Sequence, residues 1–99
     1  MGRAEIKQIL KDSYPALRQN YHVKKLGLFG SYAKGTHRQD SDIDILIEFE
    51  KPLGFKFIEL AEYLEKQLGK RVDILTAQGL KSIRVKKVAR DITGSMIYV

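Results

Sequence analysis

Ninety-nine residues with a formal net charge of +6 leave room for one small domain, and no cysteine is present. The missing cysteine excludes disulfides, thiolate zinc sites and cysteine nucleophiles together. Arg3, Glu5 and Lys7 interrupt the first ten residues and no apolar run approaches the ~20 needed to span a bilayer, so a soluble, cytoplasmic protein is expected.

Ile6, Ile9 and Leu10 stand at helical spacing, which predicts an amphipathic helix over residues 3–12. Pro15 disfavours helical geometry at Tyr14, so the helix is expected to break at Asp12–Pro15 and resume weakly over residues 16–20. Val23 to Phe29 reads as a strand. Gly27 inside it is a point where another backbone can approach closely. Gly30 ends the strand, and Ser31 to Lys34 reads as one helical turn closed by Gly35.

After a polar loop, Ile43 to Phe49 reads as the second strand. Ile43, Ile45 and Ile47 face one way, and Asp42, Asp44, Leu46 and Glu48 the other. Phe57, Leu60, Ala61, Leu64 and Leu68 mark the best helix, stopped by Gly69. Phe55 and Phe57 are expected to anchor its start. Arg71 to Leu75 reads as a third strand. Residues 80–92 read as a helix burying Val85, Val88, Ala89 and Ile92, and residues 96–99 as a final edge strand or a core cover. Helices alternating with strands predict an α/β or α+β domain with helices covering a small sheet, in one unit over residues 1–99.

The chemistry concentrates in three places. Asp42 and Asp44 lie at i and i+2 on a strand, their Cα atoms about 6.5–7 Å apart on one face. Two carboxylates so close repel, and a proton or cation must relieve them. Hard divalent ions prefer such oxygens, and a Mg²⁺ pair about 3.5–4 Å apart suits the spacing. Asp73 is a third acid inside an apolar strand. If that strand neighbours the second, Asp73 completes the cluster and is positioned to accept a proton from an attacking hydroxyl. Gly30 and Ser31, at a strand-to-helix turn, offer free N–H groups and a hydroxyl to phosphate oxygens. Lys34 and Arg38 on the same connection could neutralise triphosphate charge. Each feature also has an ordinary reading: a solvated loop for the paired aspartates, an ion pair with Arg71 for Asp73, solvated side chains for Lys34 and Arg38.

Together, Gly30-Ser31, ten intervening residues and Asp42-Ile43-Asp44 resemble the signature of the DNA polymerase beta nucleotidyltransferase superfamily. The likeness is closest to the minimal nucleotidyltransferases, the antitoxin halves of HEPN–MNT toxin–antitoxin pairs. It extends over the leading helix, the long helix ending at Gly69, and Val72-Asp73-Ile74-Leu75.

The resemblance implies an α/β nucleotidyltransferase fold with a small mixed sheet flanked by helices. It also implies two Mg²⁺ ions, ATP as donor, and a HEPN-type ribonuclease whose tyrosine receives AMP. Asp42, Asp44 and Asp73 would be the catalytic acids and metal ligands. Gly30, Ser31, Lys34 and Arg38 would hold the nucleotide. Some relatives carry arginine where this chain has Tyr32 or Lys34.

Tyr32 is expected either to stack on a base or to pack under its loop, and His22 and His37 to lie at the surface. The basic last helix, with Lys81, Arg84, Lys86, Lys87 and Arg90, reads as a solvated face or a docking surface. Two other functions compete with AMP transfer to protein: an antitoxin acting by direct binding alone, and transfer to a small molecule or RNA end. Direct nucleic-acid binding, which the charge invites, is not favoured.

Overall fold

Alternation of Ile43, Ile45 and Ile47 with Asp44 and Glu48 gives one strand two different faces. The computed structural model describes residues 1–84 and 86–99 and places that strand inside a four-stranded sheet. In chain order the elements are α1 (Arg3–Tyr21), β1 (Val23–Phe29), α2 (Gly30–Lys34), β2 (Ile43–Phe49) and α3 (Lys56–Leu68). They continue with β3 (Val72–Thr76), α4 (Ala77–Lys81), α5 (Lys86–Gly94) and β4 (Ile97–Tyr98). The sheet order is β3-β2-β1-β4, with β1 antiparallel to both β2 and β4, and β2 parallel to β3. This is the α/β arrangement expected: a small mixed sheet flanked by helices.

The isoleucine face of β2 meets Leu26 and Leu28 of β1, which pair with Ile47 and Ile45. α1 and α3 cover this face with Ile6, Leu10 and Leu17 from one and Leu60, Leu64 and Leu68 from the other, all essentially inaccessible. Gly69 ends α3 in the left-handed conformation, φ 69°, and donates its N–H to the Glu65 carbonyl, as the Leu68-Gly69 sequence predicts. Replacing Leu64 by alanine is expected to cost about 2–5 kcal/mol of stability, read by urea denaturation. A loss below about 1 kcal/mol would mean that α3 is not a core element.

The expected break in the first helix is absent. α1 runs through Pro15 without interruption. An interior proline removes one backbone hydrogen bond and crowds the preceding turn, at about 3 kcal/mol. Here the buried stripe Leu10, Ser13, Leu17 and Tyr21 crosses the proline, and the Tyr14 hydroxyl donates to the Lys24 carbonyl at 2.9 Å. Packing on both sides of Pro15 therefore outweighs the local preference.

The expected helix over residues 80–92 is also corrected. α4 starts earlier, where the Thr76 hydroxyl caps it by accepting the Gly79 N–H at 2.9 Å, and it ends at Lys81. Residues 82–84 are not helical, α5 is described over Lys86–Gly94, and Val85 lies outside the described residues. No described residue of α5 is buried: Val88 is 46% exposed, and Ala89 and Ile92 are half-buried. Phe57 does pack edge-on against Phe49, but Phe55 is 94% exposed and anchors nothing. The final segment forms an edge strand, Leu28 pairing with Ile97 and Gly27 with Tyr98. Gly27 admits a side chain rather than a backbone: a Cβ there would stand 2.7 Å from Met96 Sδ. Among the described residues no helix is long and apolar enough to cross a membrane.

Candidate active site

The parallel pairing of β2 with β3 sets Ile43 opposite Val72, Asp44 opposite Asp73 and Ile45 opposite Ile74. Because side chains alternate, Asp44 and Asp73 share the sheet face turned away from the α1–α3 core. On the other side of Asp44 its register partner is Phe29, the last residue before the Gly30 turn. Three separate segments of chain therefore meet at one point.

Gly30 adopts φ 74°, a conformation open to glycine and costly for other residues. A Cβ on Gly30 would overlap the Asp44 carboxylate and stand 2.8 Å from its Cγ. The turn thus lies directly against the acid, which no other residue type would permit. α2 follows at once and closes at Gly35, φ 76°, with the Thr36 N–H donating to the Ser31 carbonyl at 2.9 Å.

Asp44 is half-buried, and its pKa is raised above the ordinary 3.8, first by burial and then by the charges of Asp73 and Asp42. Asp42 stands one residue before β2 and is half-exposed. Its Oδ1 lies 3.4 Å from Nε of Arg71. Both partners face solvent, so the pair contributes at most about 1 kcal/mol and is easily parted. Arg71 therefore engages Asp42, leaving Asp73 beside Asp44. Among the described residues no three metal-binding side chains already stand as a ready cage. The donor set nonetheless fits a hard cation: three carboxylates within electrostatic reach, whose repulsion adds to burial in raising the Asp44 pKa.

A raised carboxylate pKa has a sign in stability. The folded chain holds the Asp44 proton more tightly than the unfolded chain, so stability falls as pH rises from 3.8 through the folded value. Above that window the penalty is constant. Asp44→Asn removes the charge and keeps the shape, so it is expected to raise the Tm of the metal-free protein at neutral pH. An unchanged or lowered Tm in a melting scan would contradict the repulsion.

Lys34 lines a cavity of about 160 Å³ with Phe29, Gly30, the α5 residues Val88, Asp91 and Ile92, and Ser95 just after α5, which brings it beside the glycine turn. Arg38 is not brought to the acids by any contact. It is exposed on the connecting loop, where its N–H donates to Ser41 Oγ at 2.8 Å. The same loop is tied down by Lys70 Nζ, which donates to the Gln39 carbonyl at 2.8 Å.

Of the two alternatives expected for Tyr32 the structure takes the second, and the place of His37 is one that sequence reasoning missed. Tyr32 is 1% exposed and stacks on His37 with ring centroids 4.1 Å apart, so it packs under the loop instead of awaiting a base. His37 is half-buried instead of lying fully at the surface, and its Nδ1 is enclosed without a hydrogen-bond partner among the described residues. An aromatic pair five positions from each other in a polar stretch was the available signal.

Residues 4–99 match the nucleotidyltransferase domain family. A relative from Thermococcus cleftensis, the protein adenylyltransferase MntA, is 47% identical over 89 residues, spanning 89% of this chain and 90% of that protein. A solved minimal nucleotidyltransferase superposes with a TM-score of 0.73 at 26% identity, covering 98% of this chain and 95% of the other. A toxin–antitoxin crystal structure with AMP-PNP gives a TM-score of 0.63 at 26% identity, over 99% of this chain and 72% of that one. With the glycine turn, the spaced aspartates and the sheet all in agreement, the chain belongs to the nucleotidyltransferase domain family, as an enzyme of its minimal type.

Proposed function

We propose that this chain is an antitoxin that transfers AMP from ATP to a tyrosine hydroxyl of a HEPN-type toxin. In this reading residues 1–99 act as one Mg²⁺-dependent catalytic domain in the cytoplasm. The observation that carries it is the register of Asp44 beside Asp73 under the Gly30 turn. The 47%-identical relative is named a protein adenylyltransferase, and the toxin–antitoxin structure contains an ATP analogue, which support the donor and the class of acceptor.

Asp42, Asp44 and Asp73 would hold the metal, with Asp42 leaving Arg71 to do so. When bound, divalent ions offset triphosphate charge and lower the pKa of an attacking hydroxyl. The N–H groups after Gly30 and the Ser31 hydroxyl orient the phosphates, and Lys34 and Arg38 add positive charge. A tyrosine hydroxyl ionises near pH ~10, so it needs help at neutrality. Asp73 is the exposed member of the neighbouring pair and takes that proton. The hydroxyl oxygen bonds to the α-phosphorus, the bond to the β-phosphate oxygen breaks, and pyrophosphate leaves.

The test is to incubate the chain with a HEPN-type toxin protein from the same genome, ATP and Mg²⁺, and map added AMP by mass spectrometry. AMP on a tyrosine is the expected result. An unmodified partner, with the ATP intact, would overturn the reading.

A further inference from the structure

A second cleft is lined by residues of α1, α2 and α5 and by none of the three aspartates. It measures about 540 Å³, within the usual range of about 300–1,000 Å³ for small-ligand sites. Three cationic residues from three different elements line it: Arg3 at the start of α1, Lys34 at the end of α2, and Arg90 on α5. Asp91 is the only acid among the described lining residues, which together keep a net positive charge. Arg3 is held in place, since its Nη1 donates to the Ala33 carbonyl at 2.9 Å. A guanidinium fixed in this way loses less freedom when it binds an anion.

The remaining lining is mainly apolar, from Ala33, Gly94, Met96 and Ile97, with Ser95 among them. A cationic rim over such a floor matches a ligand with a charged end and a flat, weakly polar end. We propose that this cleft binds a nucleoside monophosphate, with its phosphate between Arg3 and Arg90 and its base toward Ala33 and Ile97. Two guanidinium groups in one lining favour phosphate, because each can make charge-assisted, bidentate hydrogen bonds. A simple anion would leave the apolar floor without a partner. None of Asp42, Asp44, Asp73, Gly30 or Ser31 lines it, whereas Lys34, which the proposed catalytic reading gives to the triphosphate, does. Lys34, Asp91 and Ser95 border both this cleft and the small cavity at Gly30, so the two spaces adjoin.

The experiment titrates AMP into the metal-free chain and follows backbone amide shifts by NMR, with adenosine and inorganic phosphate as separate arms. Saturable shifts at Ala33, Gly94 and Ile97 are expected, with AMP binding more tightly than either fragment. Arg90→Glu should weaken AMP at least about tenfold, and Arg3→Lys should weaken it less while keeping the charge. Asp44→Asn should leave this binding unchanged, which separates the cleft from the proposed catalysis. Shifts confined to Gly30, Ser31 and Asp44, full binding by Arg90→Glu, or phosphate binding as tightly as AMP would each overturn the proposal.

Discussion

Asp44→Asn is expected to reduce AMP transfer from α-labelled ATP about a thousandfold or more while leaving the fold intact. The estimate follows from the size of single electrostatic contributions in a pre-built site, about 10²–10³ for one group, with loss of metal added. Asparagine keeps the shape that fits under the Gly30 turn, so the contact survives and the charge does not. The paired readouts are label transfer and the melting temperature, which moves upward for the reason given by the raised Asp44 pKa. A variant that transfers AMP at the native rate would remove Asp44 from catalysis. A variant that unfolds would show that the carboxylate is structural.

Gly30→Ala is expected to lower transfer about hundredfold, whereas Gly35→Ala leaves it within a few-fold. The two glycines have nearly the same backbone, φ 74° and φ 76°. Both substitutions therefore incur the left-handed penalty of about 1–2 kcal/mol. They differ in surroundings: a Cβ at Gly30 collides with Asp44, while one at Gly35 meets nothing within 4 Å. Displacing a reacting group by about 1 Å can cost about 10²-fold. Comparing kcat for the two variants, alongside their denaturation midpoints, isolates the collision from the strain. Equal losses in both would mean that only backbone conformation matters at the turn.

Much of this was legible in the sequence because it depends on local periodicity. The apolar alternation of Ile43, Ile45 and Ile47 and the glycine stops at Gly35 and Gly69 are short-range signals, and the structure follows them. The proximity of Asp73 to Asp44 was only conditional, since it depends on which strands pair and in what register. The failures have nonlocal causes too. Pro15 signals a break, but the buried stripe from Leu10 to Tyr21 holds one helix. The apolar spacing of Val88, Ala89 and Ile92 suggests a buried face, yet no described residue of α5 is buried. Arg71 was an available partner for Asp73 in sequence, and geometry gives it to Asp42 instead.

The one-to-one ladder between β2 and β3 also limits how the gene can change. Deleting a single residue between Gly69 and Asp73 would shift β3 by half a pleat, turning Asp73 toward the leucines of α3 and Ile74 toward water. Length variation is tolerable only where it leaves that phase untouched, as at the exposed stretch from Glu50 to Pro52 ahead of α3. Frame-preserving insertions there should yield working proteins, and the same insertions beside Asp73 should not.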